Sequence, residues 1–163
     1  MTDLLSNLDL TGTGYCASLN FRRTSRIVTR MYDIAMQESG VRSTQFALLV
    51  GIAKLQPVAM GTLAKVLMLD SSTLTRSLQL LRKEGMIVIS KRADMRQRYL
   101  KLTHAGQKAL QRSLPLWRAA HARFVAIVGE DYWLNLRNEL ETIAKSQMMA
   151  DLSEARESLS SQM

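Results

Sequence analysis

A single cysteine, Cys16, among 163 residues rules out a disulfide within the chain and agrees with a reducing compartment. Only two histidines are present, His104 and His121. They stand apart with no paired carboxylate, no cysteine cluster offers metal spacing, and no glycine-rich phosphate loop appears. Catalysis, a bound metal and a cofactor are therefore not expected. No apolar run approaches the roughly 20 residues that a membrane-spanning helix needs. The opening Met1-Thr2-Asp3-Leu4-Leu5 lacks the basic flank of a signal peptide, so a cytoplasmic chain with no membrane partner is expected. Acidic residues are also short: 14 against 22 lysines and arginines, a formal net charge of +8. That balance favours a polyanionic partner, nucleic acid or anionic lipid.

What is there is an apolar fraction of 47%, enough for a real core in one domain or two small lobes on a helical scaffold. Thr11-Gly12-Thr13-Gly14 reads as a flexible arm. Over 15–39, Ile27, Met31 and Ile34 form one stripe and Phe21, Val28 and Tyr32 another, which predicts a helix packed on two sides and ended by Gly40. Arg22, Arg26 and Arg30 make a basic ridge on it, a solvated face or a supplementary phosphate contact. Ser43 is a good N-cap for a buried second helix through Phe46, Leu48, Leu49, Ile52 and Leu55, broken at Pro57. A short third helix over 60–67 turns Leu63, Ala64, Val66 and Leu67 inward and lacks a capping side chain at Ala59.

The segment 70–106 carries the chemistry. Asp70 caps a helix that Gly85 stops, with Leu74, Leu78 and Leu81 as its buried stripe. Ser71, Ser72, Thr73, Thr75, Arg76 and Gln79 are left on other faces, with Lys83 at the end. Short hydroxyls let a helix approach base edges closely, and arginine reaches guanine. The amides of the first turn are anion donors, Asp70 competing for one of them. Two strands follow, Ile87 and Ile89 pointing one way with Tyr99 in their layer, and Leu100 and Leu102 extending the second. Between and beside them lie Arg92, Arg96 and Arg98, a hairpin tip suited to a minor groove, with Asp94 orienting a neighbouring arginine. A helix followed by a basic hairpin is the outline of a winged helix on DNA.

Asp94-x-Arg96-x-x-x-Leu100-x-Leu102-Thr103-x-x-Gly106, preceded by Asp70-Ser71-Ser72-Thr73-Leu74-Thr75-Arg76 and Leu81-x-x-x-Gly85, resembles the MarR family over nearly the whole chain. The resemblance implies a homodimer on a pseudo-palindromic operator in double-stranded DNA, usually a repressor. It implies a mainly α fold with a small β-hairpin wing: a winged helix-turn-helix lobe and a helical dimerisation lobe built from both chain ends. The expected division is 1–42 for the arm and first helix, 43–105 for the DNA-binding lobe and 106–163 for the C-terminal dimerisation helices and tail. The helix from Asp70 would be the recognition helix and Arg96 the wing-tip arginine. Inducers in the family, often aromatic or phenolic, bind between the lobes.

The C-terminal part fits independently. Leu110, Leu114, Trp117, His121, Phe124 and Val128 recur four and three apart, and Trp133, Leu136, Leu140, Ile143 and Gln147 continue after Gly129, a pattern for a dimer seam. Pro115 should bend the first of these helices or mark a local irregularity, and His121 reads as a packed residue. There is a weaker resemblance to the peroxide-sensing OhrR-like branch. Aligned on Gln45 and 70–75, that branch's cysteine falls nearer Ser18 than Cys16, and of its tyrosines only Tyr32 has a counterpart. Near a helix start with Arg22 and Arg23 downstream, Cys16 is a redox candidate, with an inert packing cysteine as the alternative. The ten methionines read as adaptable packing. Two other functional classes are a winged-helix protein adaptor, which the arginine concentration disfavours, and a Cys16 thiol peroxidase, which would need an outside reductant.

Overall fold

The computed structural model describes residues 8–91 and 98–146. Six helices and three strands follow in the order α1 (Ala17–Ala35), α2 (Ser43–Leu55), β1 (Val58–Ala59), α3 (Met60–Val66), α4 (Ser71–Lys83), β2 (Ile87–Lys91), β3 (Arg98–Leu102), α5 (His104–Val128) and α6 (Glu130–Lys145). The described chain divides into two compact units, the first ending at Ala120 and the second beginning at His121, within α5.

In the first unit, the single helix expected over 15–39 is shorter and flanked by 3-10 turns at Thr13–Tyr15 and Gln37–Ser39. Buried Ser39 explains the second turn. Its hydroxyl donates to the Met36 carbonyl at 2.7 Å and accepts from the Val41 amide at 3.1 Å, and Gly40 follows with φ 71°. Ser43 is not the cap of α2 but its first residue. Asp33 on α1 does the capping, accepting from both the Ser43 amide and the Ser43 hydroxyl at 2.7 Å. A carboxylate there also complements the positive end of the helix dipole, so a partner ten residues away replaces the local cap. Among the described residues of the first unit, helix α1 packs on one side: Val28 and Tyr32 are half-buried, while Phe21, Ile27 and Ile34 are 47%, 62% and 63% exposed. On α3, Leu63 is fully buried but Val66 points outward, because the seven-residue helix has room for one inward stripe only.

The core gathers Leu49 and Ile52 of α2, Leu63 of α3, Leu74, Leu78 and Leu81 of α4, and Ile87 and Leu100 of the sheet. Each such side chain contributes about 1.5–3 kcal/mol through burial. The sheet is antiparallel with order β1-β3-β2. Its register pairs Ile87 with Leu102 and Ile89 with Leu100, the inward face, and Val88 with Lys101 and Ser90 with Tyr99 on the other. Tyr99 therefore lies on the face opposite Ile87 and Ile89, a correction to the shared layer. Strand β1 was not legible, since two residues carry no periodicity; only pairing of Val58 with Leu100 and Ala59 with Tyr99 defines it.

Helix α4, the hairpin and α5 meet at one junction. Gly85, at φ 70°, lets the Met86 amide reach back to the Leu81 carbonyl at 2.9 Å, closing α4 with three residues left before β2 begins. Thr103 then joins the parts. Its amide donates to the Met86 carbonyl at 3.0 Å, its hydroxyl donates to the Gly85 carbonyl at 2.6 Å, and the same oxygen accepts from the Gly106 amide at 3.0 Å, capping α5. Pro115 sits inside α5, which runs on to Val128. In the second unit Gly129, at φ 91°, separates α5 from α6, and Trp133 meets Phe124 edge-on at 5.1 Å and His121 at 6.0 Å, the packed environment expected for that histidine.

The closeness of the junction makes Gly106 the most sensitive position. A Cβ there would lie 2.0 Å from the Met86 carbonyl oxygen, a backbone atom that cannot swing aside. Gly106→Ala is expected to destabilise the first unit by about 1–3 kcal/mol, read as a lowered melting temperature, and an unchanged melt would disprove the close approach.

Candidate nucleic-acid interface

Three buried leucines hold one side of α4 against the core, so the opposite side is presented to solvent. At 100° per residue, Ser72, Arg76, Gln79 and Lys83 fall on a single outer stripe, and Thr73 and Thr75 flank its beginning. All four stripe residues are exposed, as are Ser71 and Thr73, while Thr75 is half-buried.

Asp70 organises the first turn of this helix. Its carboxylate accepts from the backbone amides of Ser72 at 3.0 Å and Thr73 at 2.9 Å, and from the hydroxyls of Ser72 at 2.5 Å and Thr73 at 2.6 Å. Two amides are taken, not the one expected, which leaves the helix start with less capacity for an outside anion. The hydroxyl bonds from Ser72 and then Thr73, joined by the amides, hold the Asp70 carboxyl well below the usual carboxylate range. Further along, the Thr75 hydroxyl donates to the Ser71 carbonyl at 2.6 Å and the Ser77 hydroxyl to the Thr73 carbonyl at 2.9 Å.

The hairpin leaves the end of α4 through Gly85 and rises to Lys91, paired with Arg98. Arg98 is exposed at the first position of β3. Arg92, Asp94 and Arg96 lie outside the described residues. Two glutamines that pattern reading did not single out for function hold the parts in place. Buried Gln45 accepts from the Arg42 amide at 2.9 Å and donates to Glu84 at 3.0 Å, tying the start of α2 to the end of α4; the Gln56 side chain accepts from the Leu102 amide at 2.9 Å. Nothing in local periodicity marks either, because the bonds to Glu84 and Leu102 span 39 and 46 residues of chain.

A family model described as the MarR family matches residues 41–96, from just before α2 to beyond β2, ending short of β3. The M. tuberculosis transcriptional regulator MosR, in a crystal structure with DNA, is 33% identical, with 88% of this chain and 98% of that one covered and a TM-score of 0.71. The chain belongs to the MarR family. A second MosR crystal structure is 31% identical over 88% of this chain and 96% of that one, with a TM-score of 0.66. A MarR mutant from E. coli complexed with operator DNA is 21% identical over 83% of this chain and 99% of that one; its TM-score of 0.74 concerns the fold alone. No curated protein sequence matches the chain significantly. As a MarR-family member it is a DNA-binding transcriptional regulator with a winged helix-turn-helix, in which α3 and α4 are the helix pair and β2 and β3 the wing strands.

Two further features complete the first unit of this MarR-family chain. A cavity of about 490 Å³ between α1 and α2 is lined by Val28, Tyr32, Phe46, Val50, Leu67 and Trp117, with Phe46 and Trp117 stacked at 5.6 Å. Burial raises the Tyr32 phenol above its ordinary range, so the cavity wall stays neutral. Cys16 is exposed and immediately precedes α1, with Arg22 and Arg23 also exposed on that helix. Among the described residues, no His, Cys, Asp and Glu group could hold a metal ion, and no helix is long and apolar enough to cross a membrane.

Proposed function

We propose that this MarR-family chain is a homodimeric repressor that binds a pseudo-palindromic operator and releases it when a small molecule occupies the cavity beside Tyr32 and Trp117. It acts by binding and not by catalysis, on chromosomal DNA in the cytoplasm. The observation that carries the reading is the stripe Ser72, Arg76, Gln79 and Lys83: an exposed polar face on a helix anchored by three leucines and joined without slack to a basic hairpin. In this reading residues 43–105 are the DNA-binding lobe. Ser71, Ser72, Thr73, Thr75, Arg76 and Gln79 meet the major groove, and Arg92, Arg96 and Arg98, with Asp94 orienting an arginine, meet the flanking minor groove and phosphates. Arg76→Ala should lower specific affinity by about 1–3 kcal/mol and flatten preference within the half-site, while Arg96→Ala should weaken binding to every duplex and reduce the salt slope. Isotherms on specific and scrambled duplexes at several salt concentrations decide between these roles, and an Arg96→Ala variant with unchanged slope would remove the wing from the interface.

Residues 1–42 and 106–163 form the dimerisation lobe in this proposal. Supporting it, neither α1 nor α6 buries a single described side chain, and Phe21, Ile27, Ile34, Ile127, Leu134 and Ile143 are exposed. Apolar surface on that scale is covered in solution by a second copy. Light scattering at micromolar concentration should return twice the 18.4 kDa chain mass, and a monomer that binds DNA would exclude both the dimer and the palindrome.

The cavity favours a small aromatic or phenolic ligand because aromatic and aliphatic side chains make up most of its wall, its one phenol is neutral, and Thr29, Ser43 and Thr44 add hydroxyls that can meet a polar substituent. A second reading, release by oxidation, is favoured by the exposure of Cys16 at the foot of α1. One release assay separates them. Aromatic compounds should free DNA from the wild type and fail with Trp117→Ala, whereas oxidant control requires that low peroxide free DNA from the wild type and not from Cys16→Ser; insensitivity to both agents would remove both routes.

A further inference from the structure

A hydroxyl group carries one proton, and the group that accepts it decides what the oxygen offers to a partner. An ionised carboxylate and a carbonyl only accept. The bonds from Ser72 and Thr73 to Asp70, from Thr75 to the Ser71 carbonyl and from Ser77 to the Thr73 carbonyl therefore fix the direction of four hydroxyl protons, all inward. Lone pairs are what remains on the outside.

We propose that Asp70 is a positioning residue for sequence reading: it holds Ser72 and Thr73 as pure acceptors, so that they select the exocyclic amino groups of adenine or cytosine in the major groove. The proposal rests on the reading of α4 as the recognition helix. In that groove cytosine N4 and adenine N6 are donors, whereas guanine O6 and N7 and thymine O4 are acceptors that outward lone pairs repel. Reversal during binding is disfavoured, because turning either hydroxyl outward breaks a charge-assisted bond to the carboxylate and puts a weaker neutral hydrogen bond in its place. Arg76, one turn along the same stripe and a donor only, supplies the complementary preference for guanine. Both halves of the discrimination thus come from side chains on or beside one stripe whose hydrogen-bonding polarity is fixed, by the cap at its start and by the guanidinium one turn on.

Asp70→Asn separates this role from capping. Asparagine caps a helix as well as aspartate does, and its carbonyl oxygen keeps the two backbone amides. Its NH2 then takes the place of the oxygen that faced Thr73, so Thr73 must accept and its proton turns outward. Binding sites are selected from a randomised duplex library with the full-length wild type, Asp70→Asn and Thr73→Val, with melting temperatures alongside. Thr73→Val, which keeps the shape and loses the hydroxyl, marks the base pair concerned by flattening a preference of about 3- to 10-fold for adenine or cytosine. Asp70→Asn is expected to invert that preference toward guanine or thymine at the same position while melting close to the wild type. The idea is overturned if a folded Asp70→Asn keeps the wild-type preference at that position, or if Thr73→Val returns the wild-type motif or flattens a guanine or thymine preference; in each case the recognition-helix reading survives. If Asp70→Asn does not fold, the Thr73→Val result decides alone. A wild type that selects no motif at all overturns the recognition-helix reading, and this proposal with it.

Discussion

The Thr103 junction is the constraint on which the placement of α4, the hairpin and α5 depends. One side chain donates to the carbonyl that ends α4, caps the helix that begins α5, and sits beside an amide bonded to the Met86 carbonyl at the foot of the wing. Three elements converge there with no loop of more than three residues between α4, β2, β3 and α5 apart from the hairpin tip. Short connections leave little conformational freedom, so a displacement of the start of α5 is passed to α4 and the hairpin strands together. Gly106 is the steric condition for this arrangement, because only a residue without a Cβ lets α5 rest on the Met86 carbonyl.

Around that junction, side chains distant in sequence do the work that local caps do elsewhere. Asp33 of α1 caps α2, Gln45 of α2 holds the end of α4, and Gln56 satisfies the last amide of β3. The result is a small core in which no buried side-chain polar atom among the described residues lacks a partner. Such complete pairing specifies a single arrangement, since an alternative packing would leave buried donors and acceptors unmet. The cavity beside Tyr32 interrupts this order, placed between the same α1 and α2 that Asp33 ties together. A ligand there would act on a joint already bridged by hydrogen bonds.

Electrostatics divide by location. Among the described residues the one ion pair, Lys145 with Glu141, is exposed and one helical turn apart, worth little to stability. Asp70 is the exception in sign: it stands at the start of the stripe that faces outward, yet its charge is engaged by four donors and turned toward its own helix.

Much of the fold and of the candidate interface was legible in the amino-acid order. The leucine stripe of α4, its Asp70 cap and its Gly85 stop follow from helical periodicity and φ > 0 at one glycine, both properties of short stretches of chain. The MarR-like spacing from Asp70 to Gly106 has the same local character, although the physical reason for its Thr103 and Gly106 appears only when Met86 is brought against them. Tertiary structure alone decided what depends on distant partners: that Asp33 and not Ser43 caps α2, that Tyr99 faces away from Ile87 and Ile89, and that Val58 and Ala59 are a strand. The folded chain also decided the direction of four hydroxyl protons on α4, because the sequence supplies the donors and only the formed turn shows which acceptor each has found.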